Sequence, residues 1–165
     1  MSGVHEILKN VKGFSRVQIT ESGPDGTERV VGDSGFVGPN QVVNLGFLNF
    51  LCHTLGASAG SKQVGYVALG TGSAPGAAHT TLDGEIMDST ERKAVTYANV
   101  ASTTAQFTAT FASSDSFLSA AANLSNIGLF AATTTNDTLF AGNTYASSSC
   151  ATNQNVNVTY QIRFS

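Results

Sequence analysis

Three short segments of this 165-residue chain have residue types with chemical potential, and each must be weighed against its surroundings. Gly32-Asp33-Ser34-Gly35 sets a serine beside an aspartate in a glycine-flanked turn, an echo of a nucleophilic-serine segment. Acyl transfer also needs a histidine base and a buried aspartate to orient it. Only His5 precedes Ser34, and no suitable aspartate clear of the turns lies between them, so a plain Gly/Ser loop is the expectation. Gly70-Thr71-Gly72, with Gly76 after it, follows an apolar run where a phosphate-cradling loop would sit. Its spacing is not GxGxxG, no Gly-Lys-Ser/Thr follows, and Pro75 interrupts the run; a tight loop at a strand end is expected. Asp83, Glu85, Asp88 and Glu91 offer hard oxygen ligands for a cation such as Ca²⁺, but not at EF-hand spacing. A solvated acidic edge pairing with Arg92 and Lys93 is preferred. Paired carboxylates for glycoside hydrolysis remain open on sequence, although the chain has no Trp to stack a sugar.

His5, His53 and His79 lie far apart without metal-ligand spacing, and neither a metal nor a cofactor is expected. Cys52 and Cys150 fit no metal or redox spacing. Cys52 falls in an apolar helical pattern and reads as a buried thiol; a Cys52–Cys150 disulfide stays open as the lesser alternative. Asn123-Leu-Ser, Asn136-Asp-Thr and Asn157-Val-Thr match the glycosylation pattern, by chance in a chain this rich in Asn, Ser and Thr.

Composition narrows the function classes further. Charged residues make up 12%, against about 25% in average proteins. Ten Phe, no Trp and abundant Thr, Ser and Asn describe a mainly β chain with hydroxyl- and amide-covered faces. The net charge is −3 and the eight Lys and Arg are scattered, so no basic stripe tracks phosphates and nucleic acid is not an expected partner. The opening MSGVHEILKNVKG lacks the apolar run of a signal peptide, and no stretch approaches the ~20 apolar residues of a membrane helix. A chain made in the cytoplasm, with no membrane partner, is expected.

The elements that must position these residues follow from periodicity. Residues 1–39 read as an N-terminal arm and hairpin, with strands Phe14–Thr20 and Glu28–Val31 around the Pro24-Asp25-Gly26 turn and a loop from Gly32 to Asn40. Phe14, Phe36 and Val37 are its candidate apolar anchors for a neighbouring subunit. Residues 40–165 read as one antiparallel β-sandwich, jelly-roll-like, with one α-helix near residues 41–55 capped by Asn40 or Asn44. Val42, Leu45, Leu48, Leu51, Cys52 and Leu55 form its apolar stripe. Val64–Gly70, apolar throughout, predicts a strand buried on both faces. Strands are also expected over Arg92–Val100, Thr104–Phe111, Asn126–Ala131 and Leu139–Tyr145, with a helical turn around Phe117–Ala122. Asn155–Phe164 alternates most cleanly, with Val156, Val158, Tyr160, Ile162 and Phe164 inward.

Taken in order, Asn44-x-Gly46, the apolar helix, VGYVALGTGSAP, Thr81-Leu82-x-x-Glu85, Arg92, IGLF, LFAGNTY and NVNVTYQIRF form a recognisable set. From about Asn40 onward the chain resembles small virion structural proteins of tailed bacteriophages. The resemblance implies a non-enzymatic particle component found in the virion: a capsid decoration or cement protein contacting the major capsid protein. It also implies a homo-oligomer, a trimer if it occupies capsid three-fold positions. A tail or tail-fibre-associated subunit that binds a host glycan or receptor is the alternative. Tyr66, Tyr97, Tyr145 and Tyr160 would supply the aromatic face such a binder needs.

Overall fold

The computed structural model describes residues 11–52, 56, 62–86, 92–133 and 139–164. His5, His53, Asp88, Glu91 and the Cys52 side chain lie outside that description. Among the described residues the chain is mainly β, with ten strands: β1 Val11–Ser22, β2 Glu28–Asp33, β3 Val37–Val42, β4 Tyr66–Gly70 and β5 Lys93–Ala94. β6 Thr96–Ala101, β7 Thr104–Phe111, β8 Ala122–Phe130, β9 Leu139–Cys150 and β10 Asn155–Phe164 complete the set. All pair antiparallel in the order β5-β4-β8-β9-β3-β1-β10-β7-β6, with β2 on the free half of β1. The sheet is nearly closed into a barrel. Its two ends are one run of chain: β5 pairs with β4, and β6, just past Val95, pairs with β7.

Alternation builds the half formed by β1, β10 and β7. Val17 faces Val158 and Ala109, Ile19 faces Val156 and Phe111, and Ser15 faces Tyr160 and Phe107. In the last of these rows the small Ser15 lies beside the Tyr160 ring, and in the first Ala109 lies beside Val158, so the inner face fills without steric conflict. The Tyr160 side chain is fully buried and its hydroxyl accepts a hydrogen bond from Asn40 Nδ2. β1, which the sequence places in an arm, runs between β10 and β3 and gives Val17 and Ile19 to the common core. Gly26 adopts φ 77° in the hairpin turn, the left-handed backbone that the Pro-Asp-Gly signal predicts.

The other half is apolar on both faces. Val67, Leu69, Ile127, Leu129 and Ala141 face the main core, while Ala68, Phe130 and Leu139 join Val43 and Leu82 in a second, smaller cluster. The continuous apolar run of β4 has this origin, since both of its faces are covered. Ala68, Gly128 and Gly142 form a row of small residues across three strands. Pro75, from the loop after β4, packs on Gly142, where an added Cβ would lie 2.6 Å from Pro75 Cγ and 2.9 Å from the Ile127 carbonyl.

The region from residue 41 differs from the expected α-helix. Gln41 and Val42 belong to β3, where they pair with Gly142 and Ala141, and Asn40 is a buried strand residue rather than a cap. Among the described residues of this region only Asn44 and Leu45 are α-helical; Gly46–Cys52 is a π-helix. Its wider i→i+5 winding moves the apolar stripe off three- and four-residue steps. Phe50 therefore packs on Phe140, with ring centroids 5.0 Å apart, while Leu48 and Phe47 face outward. Two other expectations change in detail, and the disulfide alternative falls away. The short helical turn is 3₁₀ and falls at Ser113–Asp115, ahead of the buried Phe117 and Leu118. Phe164 ends β10 exposed, since its strand outruns the core there. Cys150 is a buried free thiol, so no disulfide joins it to Cys52.

Replacing Gly142 by Ala drives a methyl into Pro75 and the β8 backbone. Thermal or urea unfolding should register a loss of about 1–3 kcal/mol. Gly65→Ala, where the added methyl meets nothing within 4 Å, should stay within about 0.5 kcal/mol of the parent.

Candidate functional site

The Gly32–Gly35 turn uses its polar groups on itself. Arg16 reaches Asp33 through Nε at 3.0 Å and Nη2 at 2.6 Å, and Gln18 adds a bond at 3.1 Å. The Arg16 hydrogen bonds, joined by that of the Gly35 N–H, hold the Asp33 carboxyl well below the usual carboxylate range. Ser34 Oγ accepts from the Val17 N–H and donates to the Gly35 carbonyl. Its hydroxyl is thus committed to the turn between β2 and β3, and its neighbouring acid faces a guanidinium.

The Gly70–Gly76 loop is likewise engaged. Ser73 donates to Asp83 Oδ2 from both its N–H and its hydroxyl, each at 2.9 Å, which lowers the Asp83 pKa. The Thr71 N–H donates to the Gly84 carbonyl. From β8, Asn126 Nδ2 donates to the carbonyls of Ser73 and Asp83, and Ser125 Oγ to that of Gly72. The donors that would cradle a phosphate already serve the turn.

Glu85 and Arg92 leave the expected solvated edge and form a buried bidentate pair at 2.6 and 3.1 Å. The Arg92 side chain has no exposed area, lies 3.5 Å above the centre of the Phe130 ring, and also donates to the Ala132 carbonyl. Lys93 pairs instead with Asp115 at 2.5 Å, whose carboxyl is lowered by that bond. Among the described residues no three acidic, His or Cys side chains gather as a metal site.

The interaction residues expected from sequence fall around one strand end. Phe14 and Phe36 flank Arg163, whose guanidinium carbon lies 4.2 Å from the centre of the Phe14 ring and 5.9 Å from that of Phe36. Val37 is half-buried against the core and takes no part in that group, in which Phe36 is exposed and Phe14 and Arg163 are half-buried. Arg163 is held in place by two hydrogen bonds to Gln161 Oε1, and Gln161 in turn donates to Gln106. Thr110 and Asn157 continue this uncharged polar ladder at 2.8 Å. Arg163 stands among the outward residues of β10 in sequence, but its place beside Phe14 depends on β1 pairing with β10.

A second feature is an open apolar cleft of about 410 Å³. Its walls come from the π-helix, residues 62–64, β6, β7, β9 and β10. Phe50, Phe107, Phe140 and Ile162 line it, with Tyr97 and Phe164 among its outer residues. The four tyrosines do not form a shared face: Tyr145 and Tyr160 are buried, Tyr66 is half-buried, and only Tyr97 is exposed. Burial raises the pKa of the Tyr145 and Tyr160 hydroxyls and pushes the Cys150 thiol up to about 11.

No protein-family model, curated protein or solved structure matches this chain.

Breaking the buried pair by Glu85→Gln should lower stability by on the order of 3 kcal/mol in chemical unfolding. Acid should also destabilise the fold. Asp33, Asp83 and Asp115 have folded pKa values below the unfolded value near 4, so their contribution is complete above that pH and is lost as pH falls through the folded values. The thermal midpoint should fall as the pH drops below about 4, and Asp33→Asn should flatten that slope.

Proposed function

We propose that this chain is a non-enzymatic structural protein of a tailed-phage virion, most specifically a capsid decoration or cement protein. The observation that carries the reading is the outer face of the β1–β10–β7 sheet. There Arg163 stands between Phe14 and Phe36 beside a pre-formed ladder of Thr, Asn and Gln. Arginine and aromatic side chains are the groups most enriched at the energetic centres of protein interfaces, and a polar uncharged surround suits their rim. Such a patch fits the major capsid protein or another virion protein as its partner, with the virion as the place of action. The ordered segments from Asn44 to Phe164 that resemble phage virion proteins point the same way.

The sheet itself supports a finer reading as a jelly-roll-like sandwich. β3 pairs with β1 through Val37 and Asn40 and with β9 through Gln41 and Val42, so it turns the corner between two facing halves. The aromatic cleft beside Tyr97 favours the second function, a tail or fibre-associated subunit whose concave site meets a host glycan or receptor.

Immunogold electron microscopy of intact particles tests the assignment. Label over the heads is the expected result; label confined to the tail selects the second function, and particles without label refute both. The double variant Phe36→Ala, Arg163→Ala should fold normally and bind particles at least about tenfold more weakly.

A further inference from the structure

We infer that β6 is the contact edge for a second copy of this chain, the two β6 strands pairing antiparallel across a two-fold axis. Among the described residues β6 pairs with β7 alone, and all six of its residues are exposed. Tyr97 is 59% and Val100 49% exposed on a strand with no charge and no proline. An edge of this kind is a template for another strand, and proteins that stay monomeric guard theirs with charges, prolines, bulges or short length.

The other outer strands carry such guards. β2 bears Glu28, Arg29 and Asp33, and a register shift interrupts its pairing with β1. β5 has two residues and begins with Lys93. β6 has neither charge nor brevity, and its one register shift lies at its end, between Asn99 and Ala101.

The choice of a second copy rests on charge and on symmetry. Every residue from Ala94 to Ser114 is uncharged, so the whole β6–β7 hairpin can face its own copy without like-charge repulsion in a chain of net charge −3. A charged partner would find nothing there to pair with. A strand that meets its own copy antiparallel presents the same groups in both directions, which gives a closed, isologous contact. The same approach sets the partner over the mouth of the apolar cleft, where Tyr97 and Phe164 stand exposed. A two-fold contact gives dimers where the resemblance to virion proteins implies trimers, and mass alone tells them apart. The inference does not depend on where the protein acts and is tested on the purified chain.

Light scattering coupled to size exclusion, run from micromolar to submillimolar protein, should give twice the chain mass at the upper end. Ala98→Lys and Val100→Lys, each setting two lysines, one from each copy, into the uncharged seam, should return the chain mass with unchanged thermal unfolding in dilute solution. Val100→Thr, neutral and β-branched, should keep the dimer. Hydrogen exchange on the unmodified chain supplies a second readout: the amides of Thr96–Ala101 should gain protection with concentration. A monomer at the highest concentration, a trimer, or a dimer that persists in both lysine variants overturns the inference. So does protection of β6 amides that is already complete in dilute monomer, because the chain would then cover its own edge.

Discussion

The antiparallel sheet has to satisfy two kinds of surface at once, and the buried Glu85–Arg92 pair is the interaction on which that depends. On the β4–β8–β9 half, strands with apolar residues on both faces need a cover, and residues 71–86 provide it. The cover is itself loop, with little apolar area beyond Leu82 and Pro75. Its attachment comes from directed contacts: the Asn126 amide, the Asp83 turn and the guanidinium of Arg92 spread over Phe130. A bidentate pair shielded from water is geometrically exacting, and losing either member leaves the other charge buried. The pair therefore fixes where the loop lies more than it adds net free energy.

The opposite half needs no such cover. Its outward side chains are mostly Thr, Asn, Gln and Arg, several hydrogen-bonded to one another across the strands, so one face stays in water while the other packs. The molecule thus has one side closed by its own loop and one side whose polar groups face water. The low charge content has a physical reading here, because cross-strand amide and hydroxyl pairs orient one another without the desolvation cost of ions.

Legibility in the sequence followed the range of the forces. β7 and β10 were readable to the residue, and the β1–β2 hairpin through its turn, because alternation and turn chemistry are local. β4 was readable as a doubly covered strand, though nothing local says that residues 71–86 form the cover. The stretch from Gln41 misled because apolar residues at three- and four-residue steps suit an α-helix, whereas pairing of Gln41 and Val42 with β9 and the π winding after Gly46 answer to distant packing. Among the site residues, Phe14 and Phe36 stood out in the sequence as apolar side chains of the N-terminal hairpin. Their convergence on Arg163 was not legible, since it requires the first and last strands to be neighbours. Glu85 and Arg92 were legible as opposite charges but not as a buried pair, because burial belongs to Phe130 and the loop above it.

That neighbouring of first and last strands governs how the chain comes into being. β1 is central in the sheet, yet Val17 meets Val158 and Ile19 meets Val156. During synthesis β1 leaves the ribosome with one of its long edges unmatched, and it stays so until almost the whole described chain has followed. Closure of that gap joins residues at opposite ends of the sequence, the kind of long-range pairing that makes β proteins slow to fold and exposed to wrong partners meanwhile. The hairpin with β2 covers only the Gln18–Ser22 part of the opposite edge. Assembly of this protein is thus timed by its last strand.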